Sequence, residues 1–536
     1  MKLDDIWKLS SDLLNGWSNG RLKRNIKKLA TIAYDKSKKV TELEDKVGRL
    51  EDEINRLKNE KAKPKIPQAN SNKDLNPKPK KGHKKKKKKD NLKIDEQVRC
   101  SVDKDDLPSD AKKIGSREIV VQEIVLKRKN IKFIIERFYS KSLGKVIEGK
   151  VPDAFKGSEF GPVLRSHVQY LFYQCRVPHN KIKTILDDVF GTDVSKGSIC
   201  SILNNPQEGF KDDLQSVRKS ALKKDTKLYL DDTGARVNGI NAYTYGVSND
   251  YFTQYVTDFE KNRWSAAGAL LGGVQSFFFD REAMTFIANK LRRPKLYNVV
   301  HTVRKKLLSR EELENKLNEV NFKVSKDELD TVRTAGALGA LRNCQNGPPI
   351  RFLVSDDGTN FNDLHKNHQL CWVHEYRKFK KLKLSHPLEI ERMEELLDEL
   401  KEFYKLMKSY KNNPSKEQRE FIRERFDEIT DQRTMFIDID KQLDRMKKNK
   451  KRLLLFLTYP QLPLHSNMVE RDLRERVIKR KISLQNRSMS GVMAWDLMLS
   501  LASTCRKLGL SFWRYLEDRN SKREEIPYLG RLVNQM

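Results

Sequence analysis

Five acidic positions in this chain have the type and setting to do phosphoryl chemistry. Asp231 and Asp232 follow the apolar run Leu228-Tyr229-Leu230, Asp356 and Asp357 follow Phe352-Leu353-Val354, and Glu470 stands one turn into a helix that starts after Pro460 and Pro463. Three carboxylates from three separate elements can hold two divalent cations, Mg²⁺ or Mn²⁺, because both ions favour hard oxygen ligands. Such a pair suits in-line displacement at phosphorus, with one cation activating a water or 3′-hydroxyl and the other stabilising the leaving oxygen. The doublets leave the ligand in each pair open on spacing alone.

The elements that must position these acids follow from periodicity. Strands are expected at Lys227 to Asp231, Ala242 to Ser248, Tyr251 to Thr257 and Arg351 to Ser355, with a short one at Gln369 to Trp372. A helix is expected from Asn262 to Leu271, a charged helical stretch from Pro387 to Lys450, and late helices from Asn467 to about Lys481 and from Ala494 to Leu508. Three antiparallel strands, helix, strand, helix, short strand and late helix is the RNase H-like order, in which the first and fourth strands are neighbours. The fold class expected is therefore multidomain α/β, with an RNase H-like core and a helical insertion.

Upstream, Leu164 to Asn204 changes to helical spacing. Pro178 suits a helix start, Gly191 a stop, and Ser195 the cap of a further helix containing Ile199, Ile202 and Leu203. Helix, short turn, capped helix is compatible with a helix-turn-helix, whose second helix would present Lys196 and Ser198 to DNA. A β-hairpin is expected just before it, with strands Glu118 to Lys127 and Ile131 to Phe138 around Arg128-Lys129-Asn130. Val40, Leu43, Val47, Leu50, Ile54 and Leu57 form an a/d seam that reads as a self-associating coiled coil and so predicts a homo-oligomer.

Charge identifies the partner class. The chain has 108 Lys+Arg against 74 Asp+Glu, a net +34. The Pro- and Lys-rich run from Lys61 to Asp90 accounts for +11 of this and reads as a disordered linker. The remaining +23 belongs to the other segments, which points to double-stranded DNA as partner. On the glutamate helix Arg471, Arg474 and Lys481 are candidate phosphate contacts, with Arg474 one turn beyond Glu470 on the same face; a solvated basic face is the alternative. No run is long and apolar enough for a membrane span, and six cysteines without a CxxC pair suit a reducing compartment. Cys371 and His374 have CxxH spacing without a second Cys/His pair, so Cys371 is read as a buried strand residue and Trp372 as core.

The wording of three blocks narrows the alternatives. Leu230-Asp231-Asp232-Thr233-Gly234-Ala235-Arg236 resembles the first-aspartate motif of the Insertion Sequence 66 transposase family, a group of DDE transposases. Val354-Ser355-Asp356-Asp357-Gly358, with His368-Gln369-Leu370-Cys371-Trp372-Val373-His374, resembles its second-aspartate block, and Pro463 to Arg474 its glutamate helix. The resemblance covers roughly residues 115 to 530. It implies binding and metal-dependent cleavage and joining of mobile-element ends. It places catalysis and metal binding on Asp231, Asp356 and Glu470, with Asp357 the alternative in the middle position and Asp232 in the first. It further implies accessory proteins and a bacterial, cytoplasmic, nucleoid-associated setting. Many relatives carry a cysteine zinc motif between coiled coil and hairpin; here that region has only Cys100, so no zinc is expected there.

The organisation expected is a coiled-coil segment at 1–60, a basic linker at 61–98, a hairpin and helix-turn-helix region at 99–220, a first part of the catalytic core at 221–380, a helical insertion at 381–460 and the glutamate helix with C-terminal helices at 461–536. Two competing functions share these features: a transposase-derived DNA-binding protein without chemistry, and an RNase H-like nuclease without strand transfer.

Overall fold

The computed structural model describes residues 126–206, 208–291, 293–320, 322–343, 350–384 and 386–536, with 94–100 and the single positions 39, 43, 46, 119, 121 and 124. The chain divides into two units, Met1–Lys127 and Arg128–Met536. In the first, Lys39, Leu43 and Lys46 are helical and exposed, and 94–100 is exposed without regular helix or strand. The remainder of the a/d seam and the Lys-rich run lie outside the described residues.

The second unit opens on a hairpin of β1 (Arg137–Ser140) and β2 (Lys145–Glu148). This corrects the expected hairpin around Arg128-Lys129-Asn130. Residues 127–136 form no strand, though the Glu136 carbonyl accepts the Gly149 N–H at 2.9 Å, and most of residues 118–126 lies outside the described residues. The turn forms later because Gly144 adopts φ +59°, a left-handed conformation that no residue of Arg128-Lys129-Asn130 adopts as cheaply. Helices His179–Asp188 and Lys196–Asn204 follow. Gly191, at φ +57°, turns the chain between them, and the Ser195 hydroxyl accepts the Ser198 N–H at 3.0 Å as the expected cap. Ile182, Leu186, Ile199 and Leu203 bury one face of each helix.

The central sheet has five strands: β3 (Lys227–Val237), β4 (Ile240–Ser248), β5 (Thr253–Asp258), β8 (Phe352–Ser355) and β9 (His368–Leu370). Their spatial order is β5-β4-β3-β8-β9. The pairs β3–β4 and β4–β5 are antiparallel, whereas β3–β8 and β8–β9 are parallel. Leu228, Leu230, Leu353 and Val354 are fully buried, each worth roughly 1.5–3 kcal/mol of apolar transfer. Between β5 and β8 the chain makes an excursion that the sequence reading did not resolve. It contains a second small sheet, β6 (Ser276–Phe278) with β7 (Leu307–Ser309), and helices Arg281–Lys290, Pro294–Thr302, Arg310–Asn318 and Lys326–Arg342.

The helical stretch expected from Pro387 to Lys450 forms three main helices, Pro387–Asn412, Lys416–Asp431 and Ile437–Lys448. They bury Leu396, Phe403, Ile422, Phe426, Ile439 and Leu443. Trp372 joins this core, its ring 5.5 Å from Phe403 and its indole N–H donating to the Leu453 carbonyl at 2.9 Å.

The long helix Met489–Lys507 closes the edge of the sheet at β5. Asp496, Ser500 and Thr504, each one turn apart, accept the backbone N–H groups of Thr257, Tyr255 and Thr253 at 2.8, 2.9 and 3.2 Å. Four helical residues rise about 6.0 Å and two strand residues about 6.6 Å, so the two repeats stay in step over this length. The edge strand thus loses the unpaired N–H groups that would otherwise recruit another strand.

Candidate active site

Asp231 lies within β3, not at its end: the strand continues to Val237 alongside β4, a correction to the shorter strand expected. What ends near Asp231 is the parallel pairing with β8, whose last register pair is Tyr229 with Val354. Two residues further along each chain stand Asp231, inside β3, and Asp356, one residue past the end of β8. Asp231 accepts the N–H of Asp232 at 2.8 Å, and Asp356 accepts that of Gly358 at 3.0 Å. Burial, then the Asp356 carboxylate, push the Asp231 carboxyl up to about 7. Burial also raises Asp356, with His374 opposing. Two carboxyls crowded in a low-dielectric corner repel one another, and such a pair is a fitting seat for a hard dication.

The doublets divide by direction. Asp232 pairs with Lys261 at 2.7 Å and accepts from Asn360 at 3.2 Å. Asp357 points to the helical insertion. It accepts Lys378, Asn449 and Arg452, each at 3.0 Å. Burial alone would raise Asp357, but Lys378 and Arg452 hold it below the ordinary carboxylate range. Its charge is already spent on protein cations, whereas Asp231 and Asp356 have none in ion-pair contact among the described residues.

Glu470 arrives on helix Asn467–Ser483, which crosses the face of β3 and β4. Val469 and Leu473 bury the helix against Gly246, where an added Cβ would stand 3.0–3.1 Å from both side chains. Glu470 is held by Arg377 at 3.3 Å, while its Oε1 is buried without a hydrogen-bond partner. Ser466, the expected cap, makes no side-chain cap bond. The same helix buries Asp472, which pairs with Arg506 at 3.0 Å and Lys507 at 3.1 Å, and Arg476, which pairs with Asp496 at 3.3 Å. In the fold these charges anchor the helix.

His374 is the residue whose part the sequence reading missed. It sits among all three acids: its charge bears on Asp231 and Asp356, and its Nδ1 is 3.7 Å from Glu470 Oε1. The neighbouring Cys371 thiol raises His374, burial opposing, and the Glu470 and Asp356 charges add to the rise. Cys371 itself is not in a strand, as expected, but at the N-cap of helix Trp372–Lys380, because β9 ends at Leu370. The CxxH spacing was visible; its meeting with Glu470 was not, since that contact spans the whole helical insertion.

The candidate DNA contacts fall in two groups. Arg471, Arg474 and Lys481 are exposed and have no ion-pair partner among the described residues. Lys196 is exposed as the first residue of its helix, while the half-buried Ser198 shares its hydroxyl with Ser195 at 2.9 Å. Nothing in the described structure brings Lys196 or Ser198 into contact with the carboxylates.

Comparison with known proteins extends over the same elements. The model of a family described as "Transposase IS66 family" matches residues 342–494, a span that contains Asp356, His374 and Glu470 and begins after Asp231. A relative from Sinorhizobium fredii (strain NBRC 101917 / NGR234), named "Uncharacterized protein y4jO", is 34% identical over 295 residues, 54% of this chain and 91% of the relative.

Proposed function

The chain belongs to the IS66 transposase family, and from that membership we propose that it binds the ends of a mobile DNA element and catalyses cation-dependent strand cleavage and strand transfer. One observation carries this reading: Asp231 and Asp356 crowd one another at the edge of two strands, and His374 is near both of them and faces Glu470, which comes from a distant helix. The strand order β5-β4-β3-β8-β9 supports an RNase H-like core beneath it. Asp231, Asp356 and Glu470 would hold the Mg²⁺ or Mn²⁺ ions. When bound, two such cations activate the attacking hydroxyl and neutralise the leaving oxygen.

The protein's own groups do the rest. Backbone N–H groups of Asp232 and Gly358 fix the aspartate rotamers, and Arg377 orients Glu470. Arg471, Arg474 and Lys481 neutralise backbone phosphates near the site. The helix-turn-helix reading of His179–Asn204 assigns end recognition to Lys196, with Ser198 contributing through a hydroxyl it shares with the cap. The a/d seam would join copies into a homo-oligomer, the Lys-rich run would add sequence-blind DNA contact, and accessory proteins and a cytoplasmic, nucleoid-associated site of action complete the proposal. Among the described residues no helix is long and apolar enough to cross a membrane.

The test uses end DNA of the element with Mg²⁺ or Mn²⁺. Asp231→Asn, Asp356→Asn and Glu470→Gln should each abolish cleavage and joining while DNA binding persists. Cleavage without joining by the wild type would favour the nuclease reading. Binding without any cation-dependent chemistry would favour the DNA-binding reading.

A further inference from the structure

We propose that Cys371, His374 and Glu470 form a site for one thiophilic divalent cation of the zinc class, and that its occupancy withdraws Glu470 from the catalytic carboxylates. The sulfur, an imidazole nitrogen and a carboxylate oxygen of these three residues lie within 4.8 Å of one another. Around a shared tetrahedral zinc ion, two such ligand atoms stand about 3.4–3.6 Å apart, because Zn–S is about 2.3 Å and Zn–N or Zn–O about 2.1 Å. The His374 Nδ1 to Glu470 Oε1 separation of 3.7 Å is already close to that spacing. The widest of the three separations must close by up to about 1 Å, within reach of side-chain rotation.

The state of the ligand atoms argues the same way. His374 Nδ1 and Glu470 Oε1 are both buried and both lack a hydrogen-bond partner, though they face each other. The gap is too long for a hydrogen bond and suited to an ion between them. Cys371 Sγ accepts the Ser466 N–H at 3.3 Å and stands at a helix N-terminus, two features that favour a thiolate ligand. Arg377 holds the other Glu470 oxygen, fixing the carboxylate as outer partners of metal ligands do. Three protein ligands leave one position for water.

Ligand softness separates this site from the catalytic one. Thiolate and imidazole select Zn²⁺ or Co²⁺, whereas Mg²⁺ takes the all-oxygen aspartates. Glu470 is common to both, so the two occupancies compete; this second half rests on the transposase reading given above.

The experiment titrates Co²⁺ into chelator-treated full-length protein in excess Mg²⁺. One equivalent should produce the near-ultraviolet thiolate-to-cobalt charge-transfer band, displaced by Zn²⁺ and absent in Cys371→Ser with an unchanged circular dichroism spectrum. His374→Gln should weaken Co²⁺ binding at least about tenfold. Absence of the band in wild type, or its persistence in Cys371→Ser, overturns the site. In parallel, stoichiometric Zn²⁺ should suppress Mg²⁺-supported cleavage by wild type at least about tenfold and spare Cys371→Ser, each variant referred to its own zinc-free rate. A band with undiminished cleavage overturns the competition. A band in a wild type that cleaves under no cation leaves the site standing and overturns the transposase reading instead.

Discussion

Asp231 pairs across the β3–β4 ladder with Gly246, and the missing side chain at Gly246 is the space into which Val469 and Leu473 of the glutamate helix settle. Residues directly opposite on an antiparallel pair present the same face. The helix that carries Glu470 therefore comes down on the face of the sheet to which Asp231 points.

Gly246→Ala is expected to cost about 1 kcal/mol or less of stability, and Gly246→Val about 1–3 kcal/mol, as overpacking pushes the helix outward. Activity should fall more steeply than stability, since Glu470 moves with the helix. Thermal melts and a joining assay on both variants check this. Full activity in a folded Gly246→Val protein would show that the helix position is not set here.

The aspartate doublet at the end of β8 gives opposite expectations for neighbouring residues. Asp356→Asn should retain or gain stability and lose chemistry. Asp357→Asn removes the charge shared with Lys378, which keeps Glu375, and with Arg452, and should lose about 1–3 kcal/mol of stability while the folded fraction still acts. The reverse pattern in melts and joining assays would exchange the two roles.

Asp496 serves both the edge of β5 and the buried Arg476. Asp496→Ala should destabilise by about 3–5 kcal/mol, because it strands a buried guanidinium and frees the Thr257 N–H. The replacement should also raise concentration-dependent association through the reopened edge. Denaturant melts and light scattering measure the two effects separately.

Lys479 offers a pH test away from the carboxylates. It is buried over the Phe172 ring at 4.0 Å and the Trp495 ring at 5.0 Å, and burial lowers it from 10.5 to about 8. Between those values the unfolded chain holds a proton that the folded chain has released, so stability due to this group rises with pH across that window. Below it, the buried charge costs up to about 3 kcal/mol, offset in part by the two rings. Wild type should therefore gain on Lys479→Met between pH 8 and 10.5, and a pH-independent difference in melting temperature would contradict this.

For DNA, log affinity should fall linearly with log salt, by about 0.9 per neutralised phosphate. Arg474→Ala or Lys481→Ala should each lower that slope by about one contact on any duplex. Lys196→Ala should instead reduce preference for element ends. Equal effects on end and random DNA from Lys196→Ala would assign end reading elsewhere.

Much of the site was legible before any fold was known. The apolar runs ahead of Asp231 and Asp356 mark buried strands, Ser195 caps where local hydrogen bonding dictates, and the insertion shows helical apolar spacing; these are short-range effects that a sequence displays directly. The excursion between β5 and β8 was not legible, because β6 and β7 have three residues each and pair only with one another. Charge was not legible for the same reason in reverse: the burial of Asp472 and Arg476, and the pairing that commits Asp357, left open as the alternative ligand, come from partners on other elements. Which aspartate of each doublet faces the corner, and that His374 stands between them and Glu470, depend on strand register and on a helix seated against Gly246. Those are contacts between residues far apart in the chain, and only tertiary packing brings them within reach of one another's charge.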